Sequence, residues 1–387
     1  MEILMLTRML KNIVVLDVET STRNKGNPFT EDNELITIQY KINDLPPVVL
    51  FKHQFNKLFT VLEEATIVVG FNLKFDLHWI RKELGITVPC VWDCQLAEYL
   101  LSRQEWKYPN LEQTCVNYGV GHKLDIVKTE YWDKGIDTCD IPQDILAEYG
   151  AQDVEVTYAI MQKQLELFST TEQSKFKLFR LHCNDLLVLE EMEYNGIVYD
   201  EQGSLAQSDS YTKTLENLEG KIYEFVDSVP INLNSRDHIS VLLYGGTITV
   251  DERLPIGNFK TGAKAGQVKY KLFKKEFILP RLVEPSKGSE LKKEGYYSTD
   301  EDSLMSCKPN AAGKKLIAWL LERSKINKLK STYLEGLPKT IAAMGWKPNM
   351  LYSNLNQCVA VTGRITSTKP NQQNFPKECK KFCVSRY

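Results

Sequence analysis

Apolar residues in the first part of the chain come in short, largely β-branched bursts. Ile13 to Val18 is one such burst, Leu35 to Tyr40 alternates, and Thr66 to Gly70 is a third; together they predict paired strands. The period then changes. Phe75, Leu77, Trp79, Ile80 and Leu84 share a helical face ended by Gly85, and Asp93 to Leu101 and Asp144 to Phe168 also read as helices. Strands and helices mixed in this way predict an α/β domain ending near residue 168.

From Glu172 to Tyr194 the spacing of Phe176, Phe179, Leu186, Leu187, Leu189 and Met192 predicts a long helix closed at Asn195-Gly196. A second helix is expected from Ser204 to Val229. Residues 245–297, rich in Gly, Lys and Pro with strand-like pieces such as Gln267 to Phe273, read as an inserted basic loop region. Helix returns from Ala311 to Leu337, and the last fifty residues read as strand, turn and loop.

Composition adds little until it is read by position. The 387 residues hold 43% hydrophobic and 25% charged side chains, the profile of a globular protein, with a net charge of −2. That near-neutral total is a cancellation: residues 1–257 carry −17 and residues 258–387 carry +15, of which +12 lies in 308–387. A basic segment of that density favours a phosphate-facing surface. Nine cysteines without a CxxC pair, and only five histidines, argue against a zinc site and for reduced thiols. The N-terminus lacks a signal-peptide layout and no run approaches a membrane span, so a cytoplasmic location is expected, in the host cell if the gene is a phage's.

Three acidic motifs carry candidate chemistry. In VVLDVETST, Asp17 and Glu19 sit two apart on a strand, so their carboxylates share a face that can hold a hard cation. In GFNLKFDLHWI, Asn72 and Asp76 open a helix; Asp76 can equally be a first-turn acid serving the helix dipole. In EYGAQDVEVTY, Tyr149 and Asp153 lie four apart on one helical face, where they can also be a simple hydrogen-bonded pair.

In order, D-x-E, N-x-x-F-D and Y-x-x-x-D resemble the three motifs of DEDD-superfamily exonucleases, in the branch bearing a tyrosine. WDCQLAEYLL and NLEQTCVNYGVGHKLD resemble the proofreading domain of family A DNA polymerases. The resemblance implies a ribonuclease-H-like mixed sheet and two divalent cations, Mg²⁺ or Mn²⁺. It implies that Asp17 bridges both ions, that Glu19 and Asp153 complete the site of the ion activating water, and that Asp76 supports the second ion through its waters. Tyr149 would orient the attacking water and Asn72 the substrate, with Glu155 and His78 as structural neighbours.

The resemblance continues past residue 168. LEEMEYNGIVYD, INLNSRDHISVLLYGG, GYYSTDEDSL and RSKINKLKSTYLEGL are similar to the family's thumb, where a helix would present Arg323, Lys325, Lys328 and Lys330 beside duplex DNA. TGRITSTKPNQQNFPK, residues 362–377, resembles the signature at the base of the palm. There Arg364 would donate to minor-groove acceptors, and Thr362, Asn371, Gln373 and Asn374 would contact primer and template. Ile365, Thr366, Gln372 and Phe375 depart from the signature.

No segment resembles the palm's carboxylate motif, of the pattern DYSQIELR, or the fingers helix. The implied organisation is an exonuclease domain over 1–168, a mainly helical thumb over 169–340 with the basic insertion at 245–297, and an incomplete palm over 341–387. As a portion of a phage-type family A polymerase, such a chain is expected to remove nucleotides from single-stranded 3′ ends and to hold primer-template DNA. Synthesis would need a separate C-terminal polymerase chain. The alternatives are a DNA-clamping subunit with an idle nuclease and a free-standing exonuclease, the latter disfavoured by residues 362–377.

Overall fold

A computed structural model describes residues 10–122, 124–227, 229–262 and 264–385. The chain divides into two compact units, one formed by Met1–Glu201 with Leu337–Tyr387 and the other by Gln202–Gly336.

The first unit is built on a five-stranded sheet. Its strands are β1 (Ile13–Thr20), β2 (Leu35–Ile42), β3 (Val48–Phe51), β4 (Ile67–Gly70) and β5 (Val91–Asp93), in the order β3-β2-β1-β4-β5. The first three pair antiparallel, whereas β4 lies parallel to β1 and to β5. This is the mixed, ribonuclease-H-like α/β sheet expected from the motifs. Helices α1 (Leu58–Glu64), α2 (Leu73–Leu84), α3 (Cys94–Leu101), α4 (Leu111–Tyr118), α5 (Ile126–Glu130) and α6 (Gln143–Ser169) follow in chain order. The 27-residue α6 packs across β1 and β2.

The compact unit runs well past residue 168. Helix α7 (Gln173–Asn195) sends Phe176, Phe179, Cys183 and Leu186 into the same core as the sheet. Phe179 meets Trp92 edge-on at 4.6 Å between ring centroids and stacks on Phe168 at 5.0 Å. These aromatic contacts are reason enough for α7 to stay with the first domain. The α7 carboxylates also reach α2 and the C-terminal part of the unit: Glu193 is 2.6 Å from Lys74 Nζ and 2.8 Å from His78 Nε2. The Lys74 ammonium also donates to the Leu355 carbonyl, and the Leu355 N–H donates to Glu193. A small sheet in the order β11-β6-β14 joins β6 (Ile197–Tyr199) to β11 (Met350–Leu351) and β14 (Cys383–Val384).

The second unit packs α8 (Glu201–Phe225), α9 (Arg236–Tyr244), α10 (Glu301–Ser306) and α11 (Ala311–Lys328) around Ile222, Leu233, Leu243, Leu316 and Leu320. Most of the basic insertion is strand: the strand-like piece at 267–273 extends to Leu279 and gains a partner, while 280–297 is largely irregular. Residues 246–279 form a long antiparallel ribbon of β7 (Gly246–Asn258) and β8 (Val268–Leu279), with a bulge between Pro255 and Gly257. The single helix expected from Ala311 to Leu337 is also interrupted. Leu329–Leu334 winds more loosely, with the Glu335 N–H bonded to the Lys330 carbonyl five residues back, before α12 (Gly336–Met344). Among the described residues no helix is long and apolar enough to cross a membrane, and all nine cysteines are free.

Candidate active site of the first unit

Alternation on β1 sends Val14, Leu16 and Val18 into the core and leaves Asp17 and Glu19 on the opposite face, beneath α6. Asp153 comes down from α6 onto the same spot. Carboxylate oxygens of Asp17, Glu19 and Asp153 lie within 4.8 Å of one another, although Glu19 and Asp153 are buried. Three carboxylates so crowded repel one another unless positive charge joins them. An all-oxygen donor set of this kind suits a hard divalent cation.

Asp76 stands beside this trio rather than in it. Its carboxylate accepts the Val18 N–H at 3.0 Å, which seats the first turn of α2 on β1 between the two motif acids. Burial, together with the negative charge of Asp17, holds the Asp76 carboxyl well above the ordinary aspartate range. Asn72 opens α2 in the left-handed region at φ 61°, exposed, and its side chain does not cap the helix. Asp93 caps in its place. Its carboxylate accepts the N–H groups of Leu73 at 2.8 Å and Leu96 at 2.9 Å, while burial pushes its pKa up to about 6. Asn72 is thereby left with its amide facing outward.

Tyr149 lies one helical turn before Asp153 and is only 1% exposed, its ring edge-on to Trp132 at 5.9 Å. Glu155 pairs with the buried Lys41 at 3.0 Å, and His78 is held between Glu190 and Glu193.

Three groups of the site escaped the sequence reading. Thr37, Gln39 and Lys41 form a buried polar row on β2, opposite the acids of β1. Thr37 Oγ1 donates to Gln39 Oε1 at 3.0 Å, and Gln39 Nε2 donates to Asp17, so the amide fixes the rotation of that carboxylate. The signal was present as polar residues at alternate positions of LITIQYKI. Gly150 was missed as well: a Cβ there would come within 2.8 Å of the Gln39 side chain, so its absence lets α6 approach β2. Gly150→Ala is expected to push α6 outward and part Asp153 from Asp17, at a cost of about 1–3 kcal/mol in stability. Divalent-cation affinity at the trio should fall more than tenfold with the thermal transition still cooperative, as titration and scanning calorimetry on the same sample would show.

Of the basic side chains expected beside DNA, Arg323 turns inward. It is 8% exposed, with Nε donating to Glu219 at 2.7 Å, Nη1 to the Leu233 carbonyl at 3.0 Å and Nη2 to Asn234 at 3.0 Å. It ties α8 and the 231–234 turn to α11, so its Nε, Nη1 and Nη2 donors are engaged within the second unit. Lys330 is partly buried and bonded to Glu335. Lys325 and Lys328 are exposed, as are Thr362, Arg364, Asn371, Gln373 and Asn374. The last five flank β13 (Thr366–Thr368), which pairs with β12 (Asn354–Asn356), and Gln373 Nε2 donates to the Ile365 carbonyl at 3.0 Å.

Two family models match the chain: a 3′-5′ exonuclease model over residues 3–167 and the DNA polymerase family A model over residues 256–385. The chain thus joins a stretch that matches the 3′-5′ exonuclease family to one that matches part of the family A DNA polymerase domain. The DNA polymerase of Bacillus phage SP01 is 27% identical over 340 residues, covering 80% of this chain and 34% of that protein. DNA polymerase I of Bacillus subtilis is 25% identical and covers 74% of the chain and 27% of its own length. The chain therefore spans about a third of the length of the curated relatives it matches. The POL domain of Pol1 from M. smegmatis, solved in complex with DNA primer-template and dNTP, superposes with a TM-score of 0.63. At 18% identity it covers 98% of this chain and 56% of its own, a likeness of fold. The carboxylate trio falls wholly inside the exonuclease match.

Proposed function

We propose that this family A polymerase chain removes nucleotides from single-stranded DNA 3′ ends, with Asp17, Glu19, Asp76 and Asp153 as its metal-holding acids. The observation that carries the reading is the convergence of Asp17, Glu19 and Asp153 within the exonuclease domain. Bound there, two Mg²⁺ or Mn²⁺ ions would supply an activated water and neutralise charge on the leaving oxygen. The chain's own part is to hold the acids in place: Gln39 orients Asp17, the Val18 N–H anchors Asp76, and α6 lowers Asp153. Tyr149, one helical turn before Asp153, would position the attacking water. Asn72, exposed at the mouth of α2, would take the terminal nucleotide.

The test is release of mononucleotides from an end-labelled oligonucleotide. Release is expected with Mg²⁺ or Mn²⁺, none with chelator, and DNA is expected to be cut in preference to RNA. Metal-independent release, or a preference for RNA ends, overturns the reading. Protonation gives a second measurement. Because the folded-state pKa of Asp76 is raised, the metal-free protein keeps a proton that the unfolded chain gives up, so its stability falls as pH rises above the ordinary aspartate range. Metal competes with that proton. The rise in Tm produced by Mg²⁺ should therefore grow from pH 5 to pH 8, as thermal melts would record.

In this reading residues 1–168 hold the nuclease, 169–340 a thumb and 341–387 the start of a palm. Lys325, Lys328, Thr362, Arg364, Asn371, Gln373 and Asn374 would face primer and template, with Lys330 a weaker participant and Arg323 withdrawn. The exposure of the first seven supports this. The 387 residues contain no match to the palm carboxylate motif, so synthesis would draw on polymerase residues outside them. The place of action would be the cytoplasm, where the DNA substrate is.

A further inference from the structure

The β7–β8 ribbon is exposed on both faces along most of its length, and only its base, through Ile248, Val250 and Leu279, joins the core of the second unit. A two-stranded hairpin gains little stability by itself in water. This one nevertheless leaves Tyr270 45%, Leu272 61%, Phe273 42% and Ile278 84% exposed. Its residues 246–279 hold seven basic and three acidic side chains. Among the described residues its one ion pair is Lys275 with Glu252, at 3.9 Å between two half-exposed side chains.

The order of residues along β8 is what gives the surface its character. Lys269, Lys271, Phe273, Lys275 and Phe277 occupy alternate positions, so they share one face at a spacing of about 6.8 Å. Lys271 Nζ sits 5.6 Å from the Phe273 ring centre and Lys275 Nζ 5.3 Å from that of Phe277. On the other face Arg253 lies over Tyr270 at 4.5 Å. A protein partner seeking an apolar patch would have to bury these cations without counter-charges. A nucleic-acid strand supplies phosphates for the cations and flat bases for the rings, whatever its sequence.

We propose that the ribbon is an arm that binds single-stranded DNA through alternating phosphate contacts and base stacking. This goes beyond the nuclease reading and stands apart from it, because binding can be measured in chelator with no hydrolysis. The experiment is fluorescence anisotropy of a labelled oligo(dT) with the whole chain, across a salt series, comparing wild type with Lys269→Glu/Lys271→Glu/Lys275→Glu and with Phe273→Ala. The triple variant should bind at least about tenfold more weakly, with the log–log salt slope smaller by about 2. Phe273→Ala should weaken binding by on the order of tenfold with the slope unchanged. A Gln set at the same lysines gives the same readout should charge reversal lower the Tm. Affinity and slope unchanged in all variants would overturn the proposal. So would a loss of duplex binding in the variants larger than their loss of single-strand binding, or an equal effect on a polyglutamate competitor, which would make the ribbon a general acidic-polymer surface.

Discussion

Asp17→Ala is expected to reduce nucleotide release by at least about 10³-fold, equivalent to about 4 kcal/mol of transition-state stabilisation. Asp17 is the one acid that both belongs to the trio and acts electrostatically on Asp76, so its removal disturbs every proposed metal contact at once. The same substitution should make the metal-free protein more stable, because it relieves repulsion among buried carboxylates. Mg²⁺ should then give little further rise in Tm. Kinetics and melts on one preparation decide the matter. A variant that loses activity but melts lower, with its Mg²⁺ increment intact, would point to a folding defect and remove the argument for a metal-holding role.

Arg323→Ala carries the second large effect, and it falls on stability. The guanidinium forks to Glu219, Leu233 and Asn234, so truncation strands a buried carbonyl and an acid that is one-third exposed. The expected loss is about 3 kcal/mol, with the transition of the second unit lowered by on the order of 10 °C. Arg323→Lys should recover little, since an ammonium cannot reproduce a three-partner fork. The contrast with a DNA contact is measurable: at temperatures where the variant is folded, the salt slope of DNA binding should stay as in wild type. A slope smaller by about one with Tm unchanged would return Arg323 to the DNA-facing set.

Arg323 also shows why part of the molecule could not be read from the sequence. It sits in RSKINKLKSTYL beside the exposed Lys325 and Lys328, and its main partner, Glu219, is 104 residues away. Local composition cannot report such a distant contact. The acids of β1, α2 and α6 were legible for the opposite reason, since each depends on local periodicity and the spacing within its motif. Gln39 was half visible as a polar residue in an alternating strand, but its job is defined by Asp17 across the sheet. The ribbon was legible only as the strand-like piece 267–273, and its length and pairing were not, because neither face is buried. Without a core side, Val, Tyr, Leu and Phe mix with lysine and the usual contrast between apolar and polar positions vanishes. Pro255 and Gly257, which resemble loop residues, mark the bulge.

The Lys74–Glu193–Leu355 knot bears on how such polymerases could exchange parts. Lys74 lies in the segment matched by the exonuclease model, Leu355 in that matched by the polymerase model, and Glu193 between the two. Recombination that swapped one nuclease for another at the end of α6 would cut through none of these residues yet would separate their partners. It would leave a carboxylate, an ammonium and His78 buried without complements. Viable chimaeras should carry α7 and residues 349–358 along with the nuclease, so the inheritable module is larger than the domain that names it and discontinuous in the gene.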